Sequence, residues 1–362
     1  MNSRFTKVLP LSMICGSIFL SPLFADENTD TTDNTDTTTA PSTMMQQITP
    51  PAGFASMPGV GFSITADFIY WEARQANLDF AQSGSTNLEN NPGQGQVYYP
   101  SFKYKPGFKV GAAVDVGHDN WDLSSEYTWL NGSGGKSSVS STYSATTLTP
   151  TRTIYNSSYT ENALLIESDG NWNFHYNLIN LVLGRDYYIS QHLTLRPYFG
   201  LAGAWNNQNS LVHYTLSKSN GTGRFISQSY GQRYWGVGFD TGLNTSWCFD
   251  DNWSIYGDFC FMNLWSRYKD TSKQTSYEQT DLVVDYTNPT VDYNTQAVQY
   301  GLQNVIDIQM GLRWGMRFDD NNMGISFQAG WDQQVWINQS QNATGASNLS
   351  LQGLDIKARF DF

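Results

Sequence analysis

The amino-acid sequence predicts an all-β fold, a transmembrane antiparallel up-and-down β-barrel of about ten strands. Three observations support this prediction. Apolar and polar residues alternate in ten separate segments, as they do in strands with two unlike faces. The connections between segments are short at one end and long at the other. Trp residues recur near segment ends, where membrane proteins carry aromatic belts.

Each of the clearest segments has one apolar face. In FKVGAAVDVG, Phe108 and Val110 share one side, whereas Lys109 and Asp115 lie on the other. The ten segments are residues 62 to 74, 105 to 117, 121 to 131, 172 to 188, 193 to 205, 232 to 247, 253 to 266, 303 to 318, 323 to 337 and 351 to 362. The fourth changes phase near residues 177 to 179, which predicts a bulge there. Residues 147 to 168 and 280 to 301 alternate in part, so a barrel of 12 to 14 strands is the alternative.

The connections differ in length according to the end on which they lie. Tight turns occupy residues 118 to 120, 189 to 192, 248 to 252 and 319 to 322, and long polar connections occupy residues 75 to 104, 132 to 171, 206 to 231, 267 to 302 and 338 to 350. This segregation is typical of outer-membrane barrels, with long extracellular loops and short periplasmic turns. We therefore expect a protein of the bacterial outer membrane.

The first part of the chain predicts export. Residues 1–25 combine a basic start, a short apolar run and a small residue at the end, which indicates a cleaved signal peptide. Residues 26–58 form an acidic Thr/Asp/Pro-rich segment that predicts a flexible tail. The barrel is expected to occupy residues 59–362. The apolar run is too short to be a membrane-spanning helix, which takes about 20 residues.

Even spacing places many Trp residues on the lipid-facing side. Trp235 and Trp247 are 12 residues apart, as are Trp253 and Trp265. Twelve tilted residues cover roughly 30 Å along a barrel axis, enough to bracket the apolar band of about 25 Å. The predicted aromatic girdle contains Trp121, Trp129, Trp205, Trp235, Trp247, Trp253, Trp265, Trp314 and Trp331.

The same alternation points charged residues into the lumen. The predicted lumen-lining residues are Lys109, Asp115, Asp122, Glu126, Arg196, Asp240, Asp258, Asp307, Arg313, Arg317 and Asp332. They either line an aqueous path and bias its ion selectivity, or pair into a network that plugs the barrel. Small barrels fill with side chains whereas open porins have 16 to 18 strands, so the strand count bears on this choice.

Composition argues against several other functions. A formal net charge of −12 without basic patches argues against nucleic acid as a partner. The four His residues show no ligand spacing, so we expect neither a metal nor another cofactor. His213 is the obvious external His, and no acidic pair with a recognisable spacing accompanies it, so no catalytic residues are assigned.

A hairpin about Asp251 predicts that Cys248 lies opposite a residue near 254 and Cys260 opposite one near 242, too far apart for a disulfide.

Three stretches carry a family resemblance: ITADFIYWEARQANLDFA (64 to 81), VGHDNWDLSSEYTWL (116 to 130) and LGRDYYISQHLTLRPYFGLAGAW (183 to 205). They resemble the major-outer-membrane-protein-like, pore-forming family known from Legionella and from environmental relatives of the chlamydiae. The resemblance implies a β-barrel pore in the outer membrane, and it supplies no catalytic residues.

These observations together predict a porin for passive diffusion of small hydrophilic solutes and ions. The alternative is a narrow, non-conducting barrel that acts through its loops as an adhesin or structural envelope protein. Expected partners are outer-membrane lipid, the outer-membrane assembly machinery and small solutes, and a homo-oligomer stays open. The final strand ends on an aromatic residue, and the predicted assembly signal comprises Leu354, Ile356, Ala358, Phe360 and Phe362.

Overall fold

The computed structural model describes residues 61–84, 95–116, 119–141, 148–161, 163–218, 222–280, 283–318, 323–342 and 345–362. Strands account for most of them, and the helical element in this part of the chain is the 3-10 turn Ser157–Tyr159. Within the described ranges, no helix has the length and apolar character needed to cross a membrane. The predicted signal peptide (1–25) and acidic tail (26–58) lie outside the described residues.

Ten long antiparallel strands form a closed ring. They are β1 (Phe62–Gln75), β2 (Tyr104–Asp115), β3 (Trp121–Ser140), β4 (Ala163–Arg185), β5 (Leu193–Lys218), β6 (Thr222–Cys248), β7 (Trp253–Thr280), β8 (Val283–Phe318), β9 (Met323–Asn342) and β10 (Gly345–Asp361). Each strand pairs with the next, and β10 closes the ring against β1 from Ser63↔Asp361 to Gln75↔Leu349. The ring therefore satisfies the backbone groups that a bilayer cannot hydrate. The prediction of a ten-stranded antiparallel barrel is confirmed.

The alternative of 12 to 14 spanning strands is not realised. Residues 283–301 belong to β8 and pair with β7, and residues 163–168 are the beginning of β4. The short strands Ala81–Ser83, Val97–Tyr98, Leu148–Pro150 and Tyr187–Tyr188 add to the ends of the sheet. With two or three residues each, they are far below the ~9 to 11 that a spanning strand requires.

The two ends of the barrel differ as predicted, but much of the long end is strand rather than loop. Strands β5 and β6 pair continuously from Trp247↔Leu193 to Gly223↔Ser217, through a region predicted to be loop. Residues 267–280 of β7 and 283–302 of β8 likewise pair with each other, with irregular register near Gln274 and Ser276. At the start of this region in β5 the buried face carries polar residues, Asn206, Gln208 and Ser210, so the apolar alternation fades although the pairing continues. We call the two ends the tight-turn end and the hairpin end.

The predicted bulge at residues 177 to 179 is wrong. Strand β4 pairs without interruption there, with Asn177 opposite Trp205 and Ile179 opposite Gly203. Its inward residues keep one phase from Ser168 to Leu178, and the register shift with β5 lies instead between Leu165 and Glu167. The apparent change of phase arises because the apolar side chains up to Leu178, on the hairpin side, point into the lumen, whereas those from Ile179 onward, on the tight-turn side, point toward lipid.

The core of the protein lies inside the barrel. One buried cluster fills the middle of the lumen and includes Trp71, Trp172, Met262 and Trp336. A second cluster, with Phe80, lies toward the hairpin end. The outer face carries many exposed apolar side chains instead, as expected for a wall that contacts lipid.

Candidate functional site

Inside the barrel, Lys109 links strands that are not neighbours in the sheet. Its Nζ lies 2.8 Å from Asp332 Oδ2 and 3.1 Å from Asp355 Oδ2. Lys109 belongs to β2, whereas the two carboxylates belong to β9 and β10. All three residues are buried, so the ion pairs act without the screening that water provides at a surface.

Lys357 of β10 forms a second inward cluster. Its Nζ lies 2.9 Å from Asp67 Oδ2 and 3.0 Å from Glu126 Oε2. Asp258 on β7 also faces the lumen, where it accepts a hydrogen bond of 3.3 Å from Tyr198 Oη. These contacts brace β10 against β1 and β3 across the interior.

Two more predicted lumen residues have polar partners. Asp307 Oδ2 accepts a hydrogen bond of 2.8 Å from Gln334 Nε2, and Cys260 Sγ donates to Asp240 Oδ1 at 3.1 Å. One oxygen each of Asp240, Asp307 and Asp332 has no hydrogen-bond partner among the described residues. We call Lys109, Lys357 and their surrounding carboxylates the charged layer. The charged layer contains Asp67, Lys109, Glu126, Asp240, Asp258, Asp307, Asp332, Asp355 and Lys357.

Aromatic side chains fill the lumen on the hairpin side of the charged layer. Trp172 stacks on Phe174 with ring centroids 5.5 Å apart, and Trp336 meets both Tyr176 at 5.8 Å and Tyr234 at 5.7 Å. Trp172, Phe174, Tyr176 and Trp336 are at most 1% exposed. We call this group, with Trp71, Tyr234 and Tyr268, the aromatic layer. Trp336 Nε1 donates to Gln334 Oε1 at 2.8 Å, and Gln334 thereby joins the aromatic layer to Asp307.

A cavity of 420 Å³ lies on the other side of the charged layer, at the tight-turn end. Its wall includes eight of the eleven predicted lumen residues: Asp115, Asp122, Glu126, Arg196, Asp240, Asp258, Arg313 and Arg317. We call this cavity the vestibule. Arg196 binds Asp122 through two nitrogens, and its Nη1 donates to Asn244 Oδ1 at 2.6 Å. The remaining three, Lys109, Asp307 and Asp332, lie in the charged layer above it.

The hairpin end is covered by folded connections. Phe80, Ala81 and Leu148 of these connections pack with β4, β5 and β6 in the second hydrophobic cluster. Tyr214 Oη donates to the carbonyl oxygen of Phe80 at 2.8 Å, and Arg152 Nη2 donates to Ser210 Oγ at 2.8 Å. The mouth of the barrel on this side is therefore occupied by the protein's own connections.

His213 has an acidic partner that the sequence analysis missed. Its Nδ1 lies 3.0 Å from Asp169 Oδ2, on the outer face of the sheet, and the ring stacks on Phe225 at 5.2 Å. Lys136 Nζ lies 3.5 Å from Asp169 Oδ1. Burial acts to raise the pKa of Asp169, but the hydrogen bond and charge of His213 together with Lys136 outweigh it and hold that pKa below its usual value. Strand register brings these residues together, since Asp169 is directly opposite His213.

The nine Trp residues of the predicted girdle have accessible outer surfaces. Trp205, Trp235, Trp247, Trp253, Trp265 and Trp331 are between 39% and 55% exposed, and Trp121, Trp129 and Trp314 are partly exposed. Trp235 and Trp265 meet at 5.6 Å, and Trp265 stacks on Tyr300 at 5.9 Å. Trp331 is opposite Met310. It therefore lies between the level of Trp314 and the level of Trp265 along the barrel, and not at a strand end.

Other predicted residues are placed as follows. Cys248 is opposite Ser254 and Cys260 is opposite Gly242, so the predicted hairpin register is confirmed and both thiols are free. Leu354, Ile356, Phe360 and Phe362 are exposed, and Ala358 is partly exposed, on the outer face of the final segment. In the described ranges no group of three or more His, Cys, Asp or Glu residues is arranged to hold a metal ion.

Comparison with known proteins identifies the family to which the chain belongs. Residues 57–362 match the family model described as Legionella pneumophila major outer membrane protein precursor. No curated protein matches the chain. Among solved structures, the outer membrane protease OmpT from Escherichia coli matches at 10% identity over 86% of this chain and 99% of that chain, with a TM-score of 0.35. The Pseudomonas putida toluene transporter TodX matches at 9% identity over 84% and 90%, with a TM-score of 0.28. The attachment invasion locus protein Ail of Yersinia pestis matches at 9% over 83% and 98%, with a TM-score of 0.21. The chain belongs to the Legionella pneumophila major outer membrane protein family, and it is a β-barrel protein of the bacterial outer membrane.

Proposed function

We propose that this protein is a closed outer-membrane barrel that acts through its extracellular part, as an adhesin or a structural protein of the envelope. The observation that carries the proposal is the filled lumen. An aqueous channel would leave inward-facing side chains accessible to water around a complete ring. In this barrel nine strands each place a side chain that is at most 3% exposed in the middle of the lumen: Trp71, Leu130, Tyr176, Ala204, Tyr234, Leu264, Val305, Trp336 and Leu351.

The extracellular part offers a surface that suits such a role. Residues 267–280 of β7 and 283–302 of β8 pair with each other, and we call them the arm. The β8 half of the arm pairs with β7 on one edge, and β9 joins the other edge of β8 only from Asn304 onward. The other edge of residues 283–303 carries backbone donors and acceptors that no described strand pairs with. Exposed strand edges of this kind accept an added strand from a partner.

The residues along this free edge lack the usual protection against pairing. Natural edges are blunted by Lys, Pro or charged side chains. Residues 293–303 contain none of these, whereas Pro289 and Asp285 occur farther out. Val298, Tyr300 and Leu302 on this stretch are exposed. We infer that an extended segment of a partner protein or of the envelope adds to the arm here.

Replacement of the arm tests this role. Lys269 stands directly opposite Val298, so residues 270–297 can be exchanged for an Asn-Gly turn, which suits a two-residue hairpin. We expect the shortened barrel to reach the cell surface and to show the gel mobility of a folded barrel. It should lose the attachment to a surface, or the crosslinks to other envelope proteins, that the complete protein forms. A control barrel in which only Tyr286 and Tyr277 are changed to Ser should keep them. Unchanged attachment of the shortened barrel would contradict the proposal.

Passive diffusion of small hydrophilic solutes is the second candidate, and the vestibule favours it. The vestibule has a volume of 420 Å³ and a wall of charged side chains, as the entrance of a charged aqueous path would. Conduction would require that the aromatic layer is displaced. Planar-bilayer recording of the refolded protein separates the two candidates, since channels of stable size support diffusion and their lack supports the closed barrel. If channels occur, Arg313→Glu with Arg317→Glu should shift selectivity toward cations.

No reaction is part of either proposal. Outer-membrane lipid surrounds the barrel, and we propose that the assembly machinery recognises the outward face of the final strand, where Phe360 and Phe362 are exposed. Phe362 and Phe62 close the ring through backbone hydrogen bonds of 2.8 Å and 3.2 Å. Substitution of Phe360 and Phe362 by Ser should reduce assembly in cells more than it reduces the stability of the refolded barrel.

A further inference from the structure

We propose that the vestibule contains a binding site for a small oxyanion, a phosphate or carboxylate group, centred on the guanidinium of Arg313. This inference is independent of whether the barrel conducts. It rests on a cavity, on donors without acceptors, and on the arrangement of positive charge around them.

Arg313 stands on β8 with its side chain in the wall of the vestibule. Its Nε is buried and has no hydrogen-bond partner among the described residues. Among the described residues no carboxylate forms an ion pair with it. The ring of Tyr256 lies 5.5 Å from the guanidinium carbon, and Asp186 and Arg359 are near enough to act on it electrostatically. A buried donor without an acceptor costs free energy, so this arrangement calls for an acceptor that enters from the cavity.

Three other cations of the vestibule are in a different situation. Arg196 is paired with Asp122, Lys357 with Asp67 and Glu126, and Arg359 with Asp361 at 2.7 Å. Each of these groups therefore has a carboxylate supplied by the chain itself. Arg313 has no such carboxylate in the described part of the chain, so we infer that a bound anion supplies its counter-charge.

A second buried hydrogen-bond donor without an acceptor faces the same cavity. Gln309 Nε2 is buried without a hydrogen-bond partner among the described residues, and Gln309 lines the vestibule. Gln309 and Arg313 are both inward-facing residues of β8. Two donors in one cavity that both lack acceptors indicate a ligand rich in oxygen acceptors rather than another donor.

The wall beside Arg313 suits an anion. Across the pairing of β8, β9 and β10, Arg313 is opposite Gln328, and Ser326 is opposite Arg359. The guanidinium groups of Arg313 and Arg359 thus flank a strand that offers neutral polar side chains. Arg359 has Asp361 as its partner, whereas Arg313 has no ion-pair partner among the described residues, so an anion at this strand would meet an unpaired guanidinium. Guanidinium groups match the paired oxygens of phosphates and carboxylates.

The test uses the refolded full barrel and titration calorimetry at low salt, with inorganic phosphate, acetate and chloride as probes. We expect saturable binding of phosphate or acetate but not of chloride, and Arg313→Gln should weaken it by about tenfold or more. Arg313→Lys should retain part of it. The matched control is Arg224→Gln, which removes an extracellular Arg paired with Glu278 and should leave binding unchanged.

A second variant keeps the test decisive if Arg313→Gln does not fold. Gln328→Glu supplies a carboxylate directly opposite Arg313, so it should satisfy the guanidinium from within and abolish binding in a folded barrel. The relative affinities for phosphate and acetate identify which oxyanion the vestibule prefers. Absence of saturable oxyanion binding, binding that follows total ionic strength, or equal binding by Arg313→Gln would overturn the proposal.

Discussion

Lys109 on β2 donates a hydrogen bond of 2.8 Å to Asp332 on β9, across the inside of the barrel. The two strands are separated in the ring by β10 and β1. This ion pair therefore stabilises the curvature of the wall directly, in addition to the strand pairing, and it does so where water has little access.

Loss of the lysine should be costly. In Lys109→Met, Asp332 and Asp355 keep their charges but lose their shared partner, and removal of one partner of a buried pair costs about 3 to 5 kcal/mol. We expect a correspondingly lower urea midpoint for the barrel refolded in lipid vesicles. Arg74→Gln is the control, because Arg74 pairs with Glu72 at 2.9 Å while its side chain is 60% exposed, and such pairs contribute about 1 kcal/mol or less. Equal effects of the two substitutions would show that the lumen pair is hydrated.

The aromatic layer yields a prediction that links stability to permeability. Trp172→Ala with Trp336→Ala removes two buried indoles from the middle of the lumen, and each large-to-small change in a core costs about 3 to 5 kcal/mol. We expect reduced stability and a new ion leak in planar bilayers, since the layer separates the vestibule from the hairpin end. Trp265→Ala, which removes an indole that is 53% exposed on the outer face, should cause no leak. A leak that is the same in all variants would mean that the layer is not the barrier.

The fold was predictable because side chains that face lipid have to be apolar. Phe108 and Val110 on β2 had to point outward, and their alternation with Lys109 located the strand. The lumen imposes no such rule, so Trp172, Phe174 and Tyr176 could enter it as readily as Asp332. Their inward position therefore imitates, in the sequence, the change of phase that a bulge would produce.

Two other features depend on information that a local pattern does not contain. The β8 half of the arm is largely exposed on both faces, so its sequence lacks the apolar alternation that identifies a strand. Asp169 and His213 are 44 residues apart, and only the register between β4 and β5 brings them together.

The Asp169 and His213 pair predicts a pH dependence of the extracellular part. Because the folded pKa of Asp169 is lowered, its contribution is fully present above the unfolded value of about 3.9 and is lost as the pH falls through the folded pKa. Asp169→Asn should therefore destabilise the hairpin end at neutral pH, by about 1 kcal/mol since the groups are partly exposed. The difference from the unmodified protein should vanish in strong acid. Hydrogen exchange of β4 and β5 beyond the girdle measures it, and a difference that grows on acidification would contradict the assignment.

Cysteine labelling tests the register and the sidedness of the vestibule. Cys248 is partly exposed and lines the vestibule, whereas Cys260 is 6% exposed and donates to Asp240. Cys248 lies opposite Ser254, and six residues at about 3.4 Å each place it roughly 20 Å from Cys260, beyond the reach of a disulfide.

A membrane-impermeant maleimide should therefore label Cys248 alone, and only from the periplasmic side. Cys248→Ser should abolish labelling of the folded protein, and peptide mapping should find both thiols reactive after denaturation. A bond between Cys248 and Cys260, or labelling from the extracellular side, would refute the register or the orientation respectively, and any disulfide formed by Cys248 should join two chains.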